Sequence, residues 1–188
     1  MNAPPPRKPE RINVIGTSAS GKTTLAYRLA EVLDLPVIEM DRLQWRPNWQ
    51  MAPDETFLAE LSAALDATPG WVLDGNYHRT REIKWRNVDM IVWVDTSFWR
   101  TLRQAVSRAI RRIRAQEELW PGTGNRESLR RTFFSRDSVL LWMLKTWRSH
   151  RRRYETVMQA PRYAHIRFVR LRNRREVESF IELMARQG

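Results

Sequence analysis

The sequence predicts an α/β fold in which a five-stranded parallel sheet is covered by helices on both faces. Two features of the chain predict it. Short apolar runs of strand length alternate with longer segments in which apolar residues recur at the spacing of one helix face. The run from Ile91 to Val94 is apolar throughout, as a strand buried on both faces of a parallel sheet requires.

The elements follow in the same alternating order along the chain, with turn and cap residues at their limits. Pro69-Gly70, for example, ends the second helix before the third strand begins. The predicted strands are 11–15, 36–40, 71–73, 88–94 and 165–171. The predicted helices are 24–33, 53–65, one from 98 to a break at 121–125, one from 127 towards 160, and one through 177–184. In the helix from Phe98, we expect one stripe to face the core, namely Trp99, Leu102, Val106, Ile110 and Ile113.

Length and composition indicate how the chain is organised. A chain of 188 residues suits one domain, predicted over 11–188 with an insert at about 100–153 that acts as a lid, after a disordered proline-rich lead-in over 1–10. The absence of cysteine excludes disulfides, a thiol nucleophile and cysteine-ligated zinc, and it fits a cytoplasmic protein. The apolar runs are too short to cross a bilayer, so we expect no membrane partner.

The segment from Gly16 to Thr23 is the most informative motif of the chain. Two glycines separated by four residues and followed by Lys and a hydroxyl residue form the pattern of a phosphate-binding loop, here between a predicted strand and a predicted helix. Such a loop turns its main-chain N–H groups towards phosphates, while Lys22 reaches the outer phosphate oxygens and Thr23 offers its hydroxyl to Mg²⁺. The motif therefore predicts a nucleoside triphosphate site, with ATP and Mg²⁺ as cofactors. The residues expected to contact the nucleotide are Gly16, Thr17, Ser18, Ala19, Ser20, Gly21, Lys22, Thr23 and Thr24.

Three aspartates fall at the predicted carboxyl ends of strands, where ligands bind in open α/β sheets. Asp74 is delivered by an apolar strand to the position where Mg²⁺ needs a negative partner, so we predict that it holds the metal together with Thr23. Asp41 is the candidate to orient or deprotonate an acceptor hydroxyl. The alternative for each of Asp41, Asp74 and Asp95 is a purely structural role as a turn residue or helix cap, which is the commoner use of aspartate in a connection from strand to helix.

The net charge of +12 is concentrated in one interval of the chain. Between residues 100 and 153 the basic residues exceed the acidic ones by 11. Arginines carried by a closing lid would stabilise the charge of a transferring phosphoryl group, and Arg108, Arg111 and Arg112 are the candidates. The alternatives are a solvated helix face and a nucleic-acid surface; we do not favour nucleic acid as the main partner, because the aromatic residues of this interval also have core spacing.

Several further segments carry a family resemblance. The chain resembles the P-loop kinases of the adenylate-kinase-like group that are often labelled DNA-topology-modulation proteins, through Trp45-Arg46-Pro47-Asn48-Trp49, Asp74-Gly75-Asn76-Tyr77 and residues 169–177, besides the phosphate loop. The resemblance implies the three-layer P-loop NTPase fold, an ATP site, an arginine-rich helical lid, and Arg172 or Arg174 stacking on adenine. Adenylate kinases have Asp-Gly-Phe-Pro-Arg-Thr where this chain has Asp74-Gly75-Asn76-Tyr77-His78-Arg79-Thr80, so AMP does not follow as the acceptor.

These observations together predict an ATP-dependent phosphotransferase that acts on a small molecule, with nucleosides and nucleotides among the candidate acceptors. The predicted acceptor pocket comprises Asp41, Trp45, Trp49, Asn76, Tyr77 and Arg79. The alternative is an ATP-binding regulatory or nucleic-acid-binding protein without turnover. The sequence leaves the identity of the acceptor and the oligomeric state open.

Overall fold

A computed structural model describes residues 8–128 and 139–187 of the chain. Within them the five strands form one parallel sheet in the order β2-β3-β1-β4-β5. The predicted α/β fold with a five-stranded parallel sheet is confirmed. The strands are β1 (Arg11–Gly16), β2 (Val37–Glu39), β3 (Trp71–Asp74), β4 (Met90–Val94) and β5 (Arg167–Leu171).

Helices cover both faces of the sheet because alternate strand residues point to opposite sides. On one face α1 and α7 pack against Ile12 and Val14 of β1, and on the other α3 and α6 pack against Ile15 and its neighbours. The helices are α1 (Lys22–Leu33), α2 (Met40–Gln44), α3 (Asp54–Asp66), α4 (Arg81–Lys84), α5 (Phe98–Ala115), α6 (Val139–Met158) and α7 (Arg174–Ala185). No helix in the described ranges is long and apolar enough to cross a membrane.

The second strand is shorter than predicted. It was expected to continue through Met40 to Asp41, but β2 stops at Glu39, and Met40 and Asp41 form the first turn of the short helix α2. The reason is its partner: among the described residues β2 is an edge strand paired with β3, and this pairing ends at Glu39 opposite Asp74. Asp41 therefore lies in a helix turn just beyond the sheet.

The orientation predicted for α5 is wrong. Trp99 is 76% exposed and Ile110 38% exposed, whereas Thr101, Ala105 and Ala109 are buried. Ala105 packs against Ala19 of the phosphate loop, and the small residues spaced four apart allow the helix to approach that loop closely. The inward face of α5 therefore consists of small residues, where the prediction had placed the larger apolar ones.

The helix predicted from Glu127 also begins later. Glu127 and Ser128 lie outside any helix, and the described helix α6 begins at Val139. The part of the predicted lid over 129–138 and the lead-in residues 1–7 lie outside the described residues. The lid at about 100–153 stays a prediction.

Candidate active site

The phosphate loop connects the central strand β1 to α1, at the carboxyl edge of the sheet. Gly16 has no room for a side chain, because a Cβ atom there would lie 2.6 Å from Ser20 Oγ and 2.7 Å from the Val94 carbonyl oxygen. Gly21 has a φ of 98°, a left-handed conformation that favours glycine. No side chain caps α1 within the described chain, so its first N–H groups are available to an anion.

Lys22, Thr23 and Asp74 meet directly beneath this loop. Thr23 Oγ1 donates a hydrogen bond of 2.5 Å to Asp74 Oδ2, and Lys22 Nζ lies 3.4 Å from Asp74 Oδ1. Burial raises the pKa of Asp74, while the charge of Lys22 and the hydrogen bond from Thr23 act in the opposite direction. The structure thus brings the two predicted metal ligands together with the predicted phosphate-binding lysine.

This donor set fits Mg²⁺. The ion prefers oxygen ligands, and it commonly takes one or two from the protein and the rest from substrate phosphates and water. Asp74 Oδ1 is buried and accepts no hydrogen bond from any described residue. Among residues 8–128 and 139–187 no group of three or more acidic, histidine or cysteine side chains could hold a metal by itself. Thr23 and Asp74 would therefore hold the ion only together with a bound nucleotide.

A cleft of about 520 Å³ lies between the phosphate loop and α5. Arg100, Arg103, Arg108 and Arg111 line it together with Lys22. Within the described part of the chain none of these arginines forms an ion pair with an acid. We call the phosphate loop, the start of α1 and α5 the phosphate side of the site.

Two of the three candidate catalytic arginines face this cleft. Arg108 Nη2 donates a hydrogen bond of 3.0 Å to Ser18 Oγ of the phosphate loop, and burial lowers the pKa of the Arg108 guanidinium. Arg111 lines the same cleft. Arg112 does not reach it, since its Nη1 atom donates a hydrogen bond of 3.1 Å to Glu127 Oε1.

Asp41 lies in α2 and is not among the residues that line this cleft. Tyr77 donates its hydroxyl to Asp41 Oδ1 at 2.7 Å, and burial together with the Asp41 charge raises the pKa of Tyr77. The charge of Asp41 adds to the effect of burial that raises the pKa of Asp74, and it opposes the larger effect of burial that lowers the pKa of Arg108. Asp41 is therefore close enough to act electrostatically on both Asp74, the predicted metal ligand, and Arg108 of α5.

The other predicted acceptor residues form two groups of contacts. Trp45 and Trp49 pack edge to face, with ring centroids 6.0 Å apart, and both contact Trp120. Arg79 pairs with Asp54 at 3.2 Å and donates to the Gln44 side chain. We call α2, residues 45–51, the start of α3 and residues 75–80 the acceptor side.

The Asn76 side chain is engaged elsewhere. Its Oδ1 atom accepts the Gly16 N–H at 2.9 Å, and its Nδ2 atom donates to the Gly16 carbonyl oxygen. Both polar atoms of the amide therefore bind the first glycine of the phosphate loop, whereas the sequence analysis assigned Asn76 to the acceptor pocket. In this geometry Asn76 supports the phosphate side.

The remaining candidates lie away from the cleft. Arg172 and Arg174 follow β5 and are exposed, and Arg174 lies 3.7 Å from Glu178 of its own helix. Neither lines the cleft, so their stacking on adenine stays a prediction. Asp95 is 8% exposed and accepts two hydrogen bonds from Arg170, at 2.9 and 2.6 Å. Asp95 therefore has a structural ion pair.

Two residues of the site were missed by sequence reasoning in this role, Trp120 and Asn125. Trp120 is one of the aromatic residues between 100 and 153 that the nucleic-acid alternative would use for base stacking, and Asn125 is the last residue of the predicted break at 121–125. Their partners are Trp45, Arg46 and Trp49, far away in the chain. The sequence places Trp120 and Asn125 close together in one loop, but nothing in it identifies their distant partners.

The chain is similar in structure to three solved kinases. A sugar kinase from Janibacter sp. HTCC2649 matches with a TM-score of 0.51 and 17% identity, covering 95% of this chain and 92% of that one. A gluconokinase from Sinorhizobium meliloti 1021 matches with a TM-score of 0.50 and 19% identity over 96% of both chains. A shikimate kinase from Bacteroides thetaiotaomicron matches with a TM-score of 0.52 and 12% identity, covering 95% of this chain and 97% of that one.

At these identities the likeness shows the fold alone, which this chain shares with the three kinases. No protein-family model and no curated protein sequence matches the chain. The DNA-topology-modulation label of the resemblance is not confirmed by these structures.

Proposed function

We propose that the chain is a kinase that transfers the γ-phosphoryl group of ATP to a hydroxyl group of a small molecule. One observation carries the proposal: the Lys22, Thr23 and Asp74 cluster lies beneath a phosphate loop whose cleft is lined by arginines without acid partners among the described residues. The same fold in three small-molecule kinases supports it.

The phosphate side would bind the nucleotide. The free N–H groups at the start of α1 and Lys22 would hold the β- and γ-phosphates, since a helix N terminus and a cation both favour negative charge. The buried Ser20 hydroxyl has no hydrogen-bond partner among the described residues and would donate to a phosphate oxygen. Thr23 and Asp74 would hold Mg²⁺, which neutralises charge on the phosphates when bound.

Asp41 would orient the acceptor. One of its oxygens accepts from Tyr77, and the other would accept the hydrogen bond of the acceptor hydroxyl. In the transfer, the hydroxyl oxygen bonds to the γ-phosphorus while the bond from that phosphorus to the β,γ-bridging oxygen breaks. ADP keeps the electron pair of the broken bond, and the hydroxyl proton passes to Asp41 and then to solvent.

Arg108 and Arg111 would stabilise the transferring group, because charge spreads over its oxygens during the reaction. We propose residues 11–188 as one kinase domain and about 100–153 as its lid, which closes these arginines over the phosphates and excludes water. A cytoplasmic location goes with ATP as cofactor and with the lack of cysteine.

A coupled assay for ADP release tests the proposal. The purified chain with ATP and Mg²⁺ is screened against nucleosides, nucleoside monophosphates, sugars, sugar acids and other small hydroxy compounds. We expect acceptor-dependent ADP release that falls by about 10²–10³-fold or more in Lys22→Ala, because the lysine charge acts on the transferring phosphoryl group. Circular dichroism checks that the variant is folded.

The same screen distinguishes the regulatory alternative. Calorimetry with ATP and a titration with single-stranded and duplex DNA at physiological salt accompany it. ATP binding without turnover of any acceptor, together with tight DNA binding that persists in salt, would favour an ATP-dependent nucleic-acid-binding protein. Turnover that survives in Lys22→Ala would contradict the proposed roles.

A further inference from the structure

The chain forms a compact turn directly after α5, over residues 116–126. Leu119 N–H donates to the Asn125 carbonyl oxygen at 2.9 Å, and Gly124 N–H donates to Glu118 Oε1 at 2.7 Å. Glu118 and Arg126 form an antiparallel bridge at its base. This turn, which we call the post-α5 turn, is therefore ordered by its own hydrogen bonds.

The post-α5 turn rests on residues 45–51 of the acceptor side, which we call the acceptor loop. The Trp120 ring stacks on Trp45 with centroids 5.5 Å apart and planes 14° from parallel. Asn125 is 2% exposed, and its side chain spans the junction. Asn125 Oδ1 accepts the Trp49 N–H at 2.9 Å, and Asn125 Nδ2 donates to the Arg46 carbonyl oxygen at 2.9 Å.

The acceptor loop is closed at its base by a bridge between Trp45 and Met51 and by a hydrogen bond of 2.8 Å from the Arg46 N–H to the Gln50 carbonyl oxygen, but its tip has an unusual backbone. Asn48 and Trp49 are consecutive residues in the left-handed region, with φ of 58° and 61°. Asparagine tolerates this region, but a bulky residue such as tryptophan seldom occupies it unless its surroundings impose it. Asn125 makes its two hydrogen bonds on either side of Asn48. It donates to the Arg46 carbonyl oxygen and accepts the Trp49 N–H.

The same turn continues from the helix that carries the catalytic arginines. Arg108 of α5 binds Ser18 of the phosphate loop, and α5 ends at Ala115, next to the post-α5 turn. A short covalent path thus joins the phosphate loop contact to the acceptor loop contact. A displacement of α5 would therefore be passed through the post-α5 turn to Trp45 and Trp49.

We propose that Asn125 is a positioning residue that, with Trp120, clamps the acceptor loop in its left-handed conformation and couples it to α5. The inference rests on the proposed function for the role of the acceptor loop. The clamp itself is a property of the free protein and can be tested without any substrate.

Hydrogen–deuterium exchange on the free protein tests the clamp. We expect Asn125→Ala to raise exchange about tenfold or more both in residues 45–51 and in residues 117–126, with the sheet unchanged. Asn125→Asp keeps the acceptor for the Trp49 N–H but loses the donor to Arg46, so an intermediate rise is expected. Asn87→Ala, at an exposed asparagine, is the matched control. Wild-type exchange over 45–51 in both Asn125 variants would overturn the proposal.

The coupling is tested by adding adenylyl imidodiphosphate and Mg²⁺. In the wild-type protein we expect exchange over 45–51 to slow about threefold or more, and in Asn125→Ala we expect no such response although the analogue still binds. An equal response in both proteins would overturn the coupling. If the analogue does not bind wild-type protein, the proposed function fails, and the experiment on the free protein still decides the clamp.

Kinetics separates positioning from general destabilisation. With the acceptor found by the ADP-release screen, Asn125→Ala should raise the KM for the acceptor about tenfold while the KM for ATP changes less than about twofold. Asn125→Asp should restore part of the loss. A uniform fall in active protein would instead lower kcat and leave both KM values unchanged, and that result would contradict a positioning role.

Discussion

The phosphate side and the acceptor side use charge in different ways. On the phosphate side, Arg100, Arg103 and Arg111 have no acid partner among the described residues and face one cleft. On the acceptor side each arginine is paired: Arg42 with Glu39 at 2.8 Å, Arg46 with Glu60 at 2.6 Å, and Arg79 with Asp54 at 3.2 Å.

The difference indicates what each side recognises. Unpaired cations and free main-chain N–H groups attract an anion of high charge density, whatever the rest of that ligand is. A neutralised surface with a carboxylate, a phenol and three indoles depends on shape and on single hydrogen bonds instead. Under the proposed function, the phosphate side would therefore bind nucleotides in general, and the acceptor side would carry the selectivity.

The largest effect is expected from comparing substitutions of two arginines of α5, Arg108 and Arg112. Arg108→Ala removes a cation that lies on the phosphate loop, so kcat should fall by about 10²–10³-fold. Arg112→Ala removes a residue paired with Glu127 outside the cleft, and kcat should change less than about threefold. Steady-state kinetics with the identified acceptor measures both. Equal losses would show that Arg112 also acts on the phosphates and would extend the phosphate side.

A second prediction concerns Lys84, whose side chain contacts the chain just beyond the end of β3. Lys84 is 2% exposed, its Nζ atom donates to the Gly75 carbonyl oxygen at 3.5 Å, and burial lowers the pKa of Lys84 to about 7. Because the unfolded chain keeps the ordinary lysine pKa near 10.5, it binds more protons than the folded chain between about pH 7 and 10. The contribution of Lys84 to the free energy of unfolding is therefore least favourable below about pH 7, and it becomes more favourable as the pH rises.

Lys84→Met tests this contribution. At pH 6–7 the variant should be more stable than the wild type by an amount on the order of a few kcal/mol, and the difference should shrink towards pH 9. Urea denaturation at several pH values measures it. Lys145→Met removes an exposed lysine and is the control. Parallel pH profiles for wild type and Lys84→Met would contradict a low pKa for Lys84.

Asn76 tests the boundary between the two sides. Its amide makes two hydrogen bonds to Gly16, each worth about 0.5–1.5 kcal/mol, so Asn76→Ala should weaken ATP binding about tenfold. Calorimetry with ATP and Mg²⁺ measures the Kd. Asn87→Ala, which leaves the phosphate loop untouched, is the control. An unchanged Kd for ATP with a raised KM for the acceptor would show instead that Asn76 acts in the acceptor pocket, as predicted from the sequence.

The smallest effect is expected for an exposed ion pair of the acceptor side. The Arg46 and Glu60 side chains are 36% and 38% exposed, and such pairs contribute about 0–1 kcal/mol. Glu60→Gln should therefore lower the free energy of unfolding by less than about 1 kcal/mol. Urea denaturation beside Glu31→Gln, at an exposed residue of α1, checks it. A larger loss would mean that the acceptor side needs its charges neutralised to fold.

The parts of the molecule that the sequence predicted well are local. Strand, glycine loop and helix are adjacent in the chain, and the periodicity of β1, β3 and β4 is visible within each segment. The face of α5 was predicted wrongly because periodicity alone favours the large apolar residues. The structure instead buries Thr101, Ala105 and Ala109, which let the helix approach the phosphate loop.

The sequence by itself determined the α/β fold, the phosphate loop and the position of Asp74 at a strand end, because short-range pattern decides each of these. Only the tertiary structure decided that Asn76 binds Gly16, 60 residues away, and that Asn125 binds Trp49, 76 residues away. It also decided that Arg108 faces the cleft and Arg112 does not. An asparagine or an arginine has the same bonding groups wherever it stands, so its partner depends on which distant segments the folded core brings against it.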